Sequence, residues 1–227
     1  MPGAGWIKKA SGRGTHNHDS TRAGKAKIRE NALDALGEQA VVLDAYAGPG
    51  AMWEAVYQPR GALYVGCDKQ WYKDARLMYV CDNRRLLRAI DLAPFNVFDL
   101  DAFGSPWDCA LIIARRRIIA PGERVAMFLT DGAKMGATRS SFSRALAHFA
   151  KIDRVPPSFL YADVTAKAVV GLADEMRCEI VHSQYIEGRK MPKVRYYALV
   201  LRGREAPAVA TSPEPAPKAA RRRRGTA

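Results

Sequence analysis

Short apolar runs alternate with helical stretches along most of this chain, and that alternation limits the fold more than any other feature of the sequence. Helical spacings of apolar residues separate the runs. Strands that alternate with helices form a parallel sheet with helices on both faces. The sequence therefore predicts an α/β fold with an open, mostly parallel sheet. The five predicted strands are residues 41–46, 62–67, 79–81, 95–100 and 125–130.

The last third of the chain departs from this alternation. Residues 178–186 and 194–202 are both rich in strand-forming residues, and a short basic loop joins them. Because so short a connection cannot contain a crossover, we predict a C-terminal antiparallel β-hairpin. The predicted helices are residues 23–36, 51–57, 73–78, 84–90, 109–119, 140–149 and 162–173.

Most of the positive charge lies at the two ends of the chain. The formal net charge is +13, and residues 1–30 and 201–227 each hold seven Lys and Arg against two acidic residues. We predict a flexible basic N-terminal arm (1–22), a folded domain (23–203) and a disordered Pro/Ala/Arg-rich tail (204–227). Basic ends suit contact with a nucleic-acid backbone, RNA or DNA; the alternative is a solvated tail that aids solubility.

Several classes of protein are disfavoured by the sequence. No apolar run approaches the roughly 20 residues of a membrane span, and the N-terminal residues lack the apolar segment of a secretory signal. We therefore expect a cytoplasmic protein with no membrane partner. The four cysteines are scattered and His16 and His18 have no third ligand nearby, so no metal site is predicted. The oligomeric state stays open.

Acidic residues end or follow four of the predicted strands, and a glycine turn follows the first. The four acidic residues are Asp44, Asp68, Asp82 and Asp101. An open parallel sheet binds ligands beyond the carboxyl ends of its strands, so these side chains are expected in one site. Gly48 and Gly50 would let the backbone approach a ligand closely. Asp68 could accept both hydroxyls of a ribose, and Asp82, with Asn83 beside it, could accept from an adenine amino group.

The glycine turn favours one nucleoside cofactor over others. Trp53 stands where a dinucleotide-binding motif needs its third glycine, and no phosphate-binding loop of the G-x-x-x-x-G-K type is present. The segment LDAYAGPG instead resembles the first motif of class I methyltransferases, and the resemblance extends over residues 40–200. It implies S-adenosyl-L-methionine as cofactor. The implied cofactor-binding residues are Asp44, Tyr46, Gly48, Gly50, Asp68, Asp82 and Asn83; the alternative is that the acids are ordinary loop residues.

The loop after the fourth predicted strand carries the candidate catalytic residues. The lone pair of an exocyclic amine is delocalised into its ring, so methylation requires an acceptor that holds the amine and stabilises its developing charge. Asp101 can do this, and Phe103 can stack on the base. The alternative is a structural turn acid and a core aromatic. Cys109 lies beyond the loop, in a predicted helix, which disfavours cytosine-C5 methylation by a cysteine nucleophile.

Two segments resemble tRNA guanine-N2 dimethyltransferases. DLDAFGSP is similar to their D-x-D-P-F-G-S-P loop, and TDGAKMG to their T-D-T-A-P-L-x-G segment. The chain departs from that family at Ala102, where the family has proline, and we expect it to have no counterpart of the family's C-terminal domain. The stretch before the first strand is faintly similar to rRNA guanine-N2 methyltransferases.

The resemblance thus implies methylation of an exocyclic amine in a nucleic acid, with RNA guanine-N2 favoured. DNA adenine-N6 methylation and a catalytically silent nucleic-acid-binding module of the same fold stay open. A small-molecule or protein acceptor is disfavoured, because such substrates do not need the run of arginines at 221–224. The methylated position and the number of methyl groups are not given by the sequence.

Overall fold

The computed structural model describes residues 19–132, 142–188 and 194–205, which form one layered α/β unit. Its strands are β1 (Val41–Asp44), β2 (Leu63–Asp68), β3 (Met78–Val80), β4 (Val97–Leu100), β5 (Arg124–Asp131), β6 (Cys178–Glu187) and β7 (Arg195–Gly203). Its α-helices are α1 (Asp19–Leu36), α2 (Asn83–Ala89), α3 (Trp107–Arg116), α4 (Arg144–Ala150) and α5 (Tyr161–Glu175). A π-helix (Trp53–Tyr57) follows β1, and a 3-10 turn (Ser158–Leu160) precedes α5.

Within the described ranges, seven strands form one sheet in the order β3-β2-β1-β4-β5-β7-β6. Strands β1 to β5 are mutually parallel, whereas β7 is antiparallel to β5, with Asp131 opposite Arg195. β6 pairs with β7 as an antiparallel hairpin. The predicted fold class is confirmed, and the hairpin is joined to the sheet through its second strand.

Successive residues of the central strands point to opposite faces of the sheet, and both faces are buried. Leu43 and Phe98 pack on one face with helices α2 to α5. Val42 and Val97 pack on the other face with α1 and the π-helix. This two-sided burial explains why the strands are continuous apolar runs rather than alternating ones. No helix in the described part of the chain has both the length and the apolar content that crossing a bilayer requires.

The helix predicted over residues 73–78 is wrong. Residues 71–77 form an irregular loop, and Met78 already belongs to β3. The reason is Arg76, whose guanidinium is buried and donates to the carbonyl oxygens of Ala47 and Gly48 at 3.0 and 2.7 Å. Those long-range contacts, with an ion pair to Asp74, outweigh a weak local preference for helix.

Some predicted boundaries also differ from the structure. α1 begins at Asp19, so it includes residues that the sequence prediction gave to the N-terminal arm. α3 ends at Arg116, three residues before the predicted end, because Arg117 turns back and donates to the carbonyl of Phe95 at 3.2 Å. Residues 1–18 and 206–227, which hold most of the predicted arm and tail, lie outside the described residues.

Candidate active site

The glycine turn after β1 has the backbone shape that glycine permits. Gly48 and Gly50 have φ angles of +45° and +92°, in the region that other residues avoid. A Cβ on Gly50 would stand 3.1 Å from the guanidinium carbon of Arg76. Since Arg76 also binds two carbonyl oxygens of the turn, it fixes the turn from beneath. Nothing in the local sequence indicated that Arg76 contacts the turn, because its two partners there are 28 and 29 positions away.

Asp44 lies under this turn, inside the fold. Its carboxyl is buried and accepts hydrogen bonds from the Tyr46 amide at 3.0 Å and the Tyr64 hydroxyl at 2.9 Å. Burial, reinforced by the nearby charge of Asp99, raises the pKa of Asp44 to about 8. Its observed role is therefore to shape the turn, and a direct contact between its carboxyl and a cofactor stays a prediction.

A cleft of about 330 Å³ opens beside the turn, at the carboxyl ends of β1, β2 and β3. Four of the residues predicted for cofactor binding line it together, whereas Asp44, Gly48 and Gly50 lie outside the lining. Lys69 and Ser105, which the sequence did not single out, also line the cleft. The four residues are Tyr46, Asp68, Asp82 and Asn83.

Asp68 connects the end of β2 to the glycine turn. One carboxylate oxygen accepts from the Gly48 amide at 3.1 Å, and the other accepts from the Gln70 amide at 2.9 Å. A carboxylate oxygen offers two lone pairs, so each of these atoms can accept one further hydrogen bond. Asp68 can thus hold the turn and still receive a hydroxyl from a ligand in the cleft.

Asp82 caps the N-terminus of α2. Its carboxylate accepts from the amides of Arg84 and Arg85 at 3.1 and 3.2 Å, and it lies 3.1 Å from the Lys69 ammonium. The hydrogen bond from Lys69 lowers the pKa of Asp82, so the carboxylate is ionised. Beside it, the Asn83 amide donates to the carbonyl of Ala45 at 3.2 Å, which fixes this side chain against β1.

Ser105 contributes an unsatisfied polar group to the cleft. Its hydroxyl oxygen is buried and has no hydrogen-bond partner among the described residues. A buried hydroxyl without a partner is costly in the absence of a ligand. The Tyr46 hydroxyl, by contrast, lies 3.3 Å from the Cys109 sulfur. Ser105 is therefore the lining residue that most directly indicates a polar ligand.

The candidate catalytic loop follows β4. Both carboxylate oxygens of Asp101 lie 2.7 Å from the Lys25 ammonium, which α1 carries, and Arg29 lies 4.0 Å away. Burial opposes ionisation of Asp101, but the charges of Lys25 and Arg29 outweigh it and hold the pKa of Asp101 below its usual value. Asp101 is thus an ionised acceptor whose position depends on α1.

Phe103 projects from this loop into solvent. Its side chain is 94% exposed, which rules out the alternative that it is a core aromatic. The next residue, Gly104, has a φ of +125° and accepts from the Gly132 amide at 2.7 Å, so the loop is tied to the end of β5. The loop therefore presents an aromatic face on a fixed backbone.

A buried ion pair supports the loop from below. Asp99 is fully buried and receives two hydrogen bonds from the Arg29 guanidinium, at 2.8 and 2.7 Å, and one from the Tyr57 hydroxyl at 2.5 Å. The bidentate pair with Arg29 joins α1 to β4, and the hydrogen bond from Tyr57 joins the π-helix to the same residue, two positions before Asp101. The sequence did not reveal it, because Arg29 and Asp99 are 70 positions apart.

Only the start of the TDGAKMG segment lies within the described residues. Thr130 and Asp131 end β5, and the Asp131 carboxylate is buried, accepting from the Trp107 indole at 2.9 Å and the Tyr161 hydroxyl at 3.0 Å. Its position is structural: it holds α3 and α5 against the end of β5. Residues 133–136 of the segment lie outside the described ranges.

Comparison with known proteins bears on the fold. A scan of protein-family models and a search of curated proteins gave no match to the sequence. Among solved structures, Trm1 from Pyrococcus horikoshii in complex with S-adenosyl-L-methionine is similar, with a TM-score of 0.54 and 16% identity, over 82% of this chain and 56% of the Trm1 chain. TYW2 from M. jannaschii in complex with AdoMet has a TM-score of 0.51 and 10% identity, over 82% of this chain and 75% of that chain.

At these identities the similarity is one of fold. In this chain the architecture is a mostly parallel seven-stranded sheet that an antiparallel hairpin completes, with the cleft at the carboxyl ends of β1, β2 and β3. This chain spans just over half of the Trm1 chain. The protein therefore has the fold of the class I S-adenosylmethionine-dependent methyltransferases.

Proposed function

We propose that this protein is an S-adenosylmethionine-dependent methyltransferase that acts on an exocyclic amine of a nucleic-acid base, with guanine-N2 of RNA as the favoured acceptor. One observation carries the proposal. A polar cleft suited to a nucleoside lies beside a loop that presents an ionised carboxylate and an exposed aromatic ring. Those are the groups that binding and methylating an aromatic amine require.

The residues of the cleft fit the cofactor. Asp68 has the remaining lone pairs to accept from ribose hydroxyls, and Asp82 and Asn83, which line the same cleft, would contact the adenine. The unsatisfied hydroxyl of Ser105 would gain a partner. When bound, S-adenosylmethionine would supply a methyl group attached to a good leaving group, and the protein's task is to position the acceptor.

Asp101 and Phe103 are assigned to the acceptor. Phe103 would stack on the base, because its ring is almost wholly exposed at the edge of the site. Asp101 would accept a hydrogen bond from the amine and stabilise the positive charge that the nitrogen gains as it bonds to the methyl carbon. Its lowered pKa keeps it ionised for this role.

RNA is favoured because the catalytic loop resembles that of tRNA guanine-N2 dimethyltransferases and because both ends of the chain are basic. The test is transfer from methyl-labelled cofactor to separate pools of tRNA, rRNA and duplex DNA, followed by nucleoside mass spectrometry. We expect label in RNA, as a methylated guanosine. Label on DNA alone would contradict the RNA assignment, and label on protein or on no pool would contradict the nucleic-acid assignment.

Two variants test the assigned residues. Asp101→Asn should lower kcat by about 100-fold or more, and Phe103→Ala should raise KM for RNA by roughly tenfold, since base stacking contributes about 1–3 kcal/mol. Ile118→Ala is the control, because Ile118 is also largely exposed and lies between the end of α3 and the amino end of β5, at the opposite edge of the sheet from the loop. Calorimetry should show unchanged cofactor affinity in all three. Loss of cofactor binding in Asp101→Asn would show that Asp101 serves the cofactor, which contradicts its assignment to the methyl acceptor.

A further inference from the structure

A basic groove lies between α2 and α3, next to the candidate cofactor cleft. It has a volume of about 360 Å³ and shares Arg84 and Asp108 with the lining of the cleft. Leu111 and Ile112 of α3 give it an apolar lining. The groove therefore adjoins the proposed active site, although none of the roles assigned so far uses it.

Four guanidinium groups line this groove, against one carboxylate, that of Asp108. Two come from α2, Arg84 and Arg88, and two from α3, Arg115 and Arg116. Arg84 and Arg88 are four positions apart on one helix, a spacing at which like charges repel and destabilise the helix. This spacing therefore destabilises α2 when no ligand is bound. An anion bound between the two arginines would reduce the repulsion between their charges.

The internal partners of these arginines leave much of their charge available. Arg84 is 3.9 Å from the carboxylates of Asp82 and Asp108, and Arg115 is 3.7 Å from that of Glu175. These separations exceed ordinary hydrogen-bond lengths. The side chains of Arg84 and Arg115 are 51% and 58% exposed.

Arg88 and Arg116 differ in their hydrogen bonds within the protein. Arg88 donates to the carbonyl of Arg84 at 3.4 Å, a long contact at an exposed site. Arg116 is structural, since it donates to the carbonyls of Leu87 and Ile90 and so ties α3 to the end of α2. Arg88 and Arg115 are thus the arginines best suited to bind a ligand without affecting either the packing of the helices or the cofactor cleft.

We propose that this groove binds the phosphate backbone of the RNA whose base enters the catalytic loop. The identification of the RNA as the methyl acceptor rests on the proposed function. Guanidinium groups spread over two helices suit a run of phosphates rather than one small anion, and their planar forks match phosphate oxygens. The apolar lining can contact sugars between phosphates. Because the groove and the cleft share Arg84 and Asp108, one strand could extend from one to the other.

The experiment measures binding of the full-length protein to a fluorescein-labelled tRNA and to a labelled single-stranded RNA over 50 to 200 mM salt. The test variant is the double substitution Arg88→Gln/Arg115→Gln. The matched control is Arg202→Gln/Arg204→Gln, which removes the same charge from exposed arginines at the end of β7 and beyond it. Thermal unfolding of both variants verifies that they are folded.

We expect the groove variant to bind RNA roughly tenfold more weakly at 100 mM salt. The slope of log Kd against log salt should fall by about 1.4, which corresponds to two phosphate contacts on a single strand. The control should keep the wild-type slope. An equal loss in both variants would overturn the groove as a site, since net charge alone would then explain it. So would a groove variant with wild-type affinity, or one that loses binding to anionic lipid vesicles but not to RNA.

The same preparations separate this proposal from the proposed function. Cofactor binding, measured by calorimetry, should be unchanged in the groove variant. If the wild-type protein transfers no methyl group to any nucleic acid, yet the groove variant alone loses RNA affinity, the methyltransferase proposal fails and the groove stands. If methyl transfer occurs and the groove variant binds RNA as the wild type does, the groove proposal fails alone.

Discussion

At the scale of single residues, the proposed chemistry depends on a contact between distant parts of the chain. Lys25 is buried, lies 4.9 Å from the centre of the Tyr196 ring, and reaches both oxygens of Asp101 from 76 positions away. An ammonium held in this way both fixes the direction of the carboxylate and keeps it ionised. Lys25 is therefore a positioning residue for the proposed reaction, acting through Asp101.

Replacing Lys25 with Met should impair methyl transfer in a pH-dependent way. Without the ammonium the pKa of Asp101 rises, so the acidic limb of the pH profile of kcat/KM should move to higher pH. We also expect kcat to fall by roughly 100-fold, since a misplacement of about 1 Å can have that effect.

Lys27→Met is the control, because Lys27 lies on the same helix but is exposed. Lys25→Arg, which retains the charge, should restore part of the activity and the wild-type pH limb. A Lys25→Met variant with a reduced rate of methyl transfer but an unshifted pH profile would show that Lys25 is merely structural.

The buried carboxyl of Asp44 should make stability depend on pH. Its pKa is raised from an ordinary 3.8 to about 8, so the folded state binds the proton more tightly than the unfolded state does. The contribution of Asp44 to stability is therefore fully present below about pH 4 and is lost as pH rises towards 8, by up to about 1.4 kcal/mol per pH unit.

Asp44→Asn should abolish this loss, so the free energy of unfolding of the variant should increase relative to wild type between pH 5 and pH 8. Urea unfolding at several pH values measures the difference. Asp34→Asn, at an exposed acid, should differ from wild type by a nearly constant amount. A constant difference for Asp44→Asn as well would contradict the raised pKa.

The positions of the candidate site residues were predictable where a local motif carries them, and not where the residues act through distant contacts. Asp68 and Asp82 follow apolar runs, so the sheet brings them to one edge as expected. Lys25, Arg29 and Arg76 have no distinctive neighbours in sequence. Their roles come from partners 28 to 76 positions away, and these partners come into contact only when the chain is folded.

At the scale of elements, α4 and α5 approach closely at one glycine. A Cβ on Gly171 of α5 would overlap the carbonyl group of Phe149 in α4, which is backbone and cannot move aside. Gly171→Ala should therefore lower the free energy of unfolding by about 1–3 kcal/mol, although alanine favours an isolated helix by about 1 kcal/mol.

Chemical unfolding of Gly171→Ala and of Val170→Ala provides the measurement. Val170 is the adjacent residue of α5 and is 55% exposed, so its truncation should change stability by less than about 0.5 kcal/mol. A stabilised Gly171→Ala variant would show that helix propensity dominates and that the two helices do not pack this closely.

Elements with a strong apolar pattern were predicted well, and those that long-range contacts shape were not. The central strands are apolar on both faces, so β1, β4 and β5 appear directly in the sequence. The loop before β3 has helix-compatible residues, but Arg76 draws it into contact with the glycine turn. The π-helix after β1 has no pattern that distinguishes it from an α-helix.

At the scale of the whole molecule, charge is distributed unevenly between the described residues and the rest. Of the 36 Lys and Arg residues, 13 lie outside the described ranges, whereas only one of the 23 Asp and Glu residues does. The described residues are thus close to neutral as a set. The excess positive charge belongs to the two ends and to residues 133–141 and 189–193.

Replacing arginines 221–224 with glutamine should therefore reduce the salt dependence of RNA binding. If all four contact phosphates of a single strand, the slope of log Kd against log salt should fall by about 2.8. The kcat at saturating RNA should be unchanged, because the catalytic loop is intact. Fluorescence anisotropy measures the slope, and Ala219→Gln/Ala220→Gln is the neutral control. A wild-type slope after removal of all four charges would exclude the tail as an RNA contact.

The position of β7 has a consequence for the synthesis of the protein. β7 follows β6 in the chain but lies between β5 and β6 in the sheet. While the polypeptide is growing, β6 leaves the ribosome before the strand that joins it to the sheet, and the outer edge of β5 stays unpaired. Exposed strand edges promote aggregation. A nascent chain that stalls before residue 195 is thus expected to need chaperone protection.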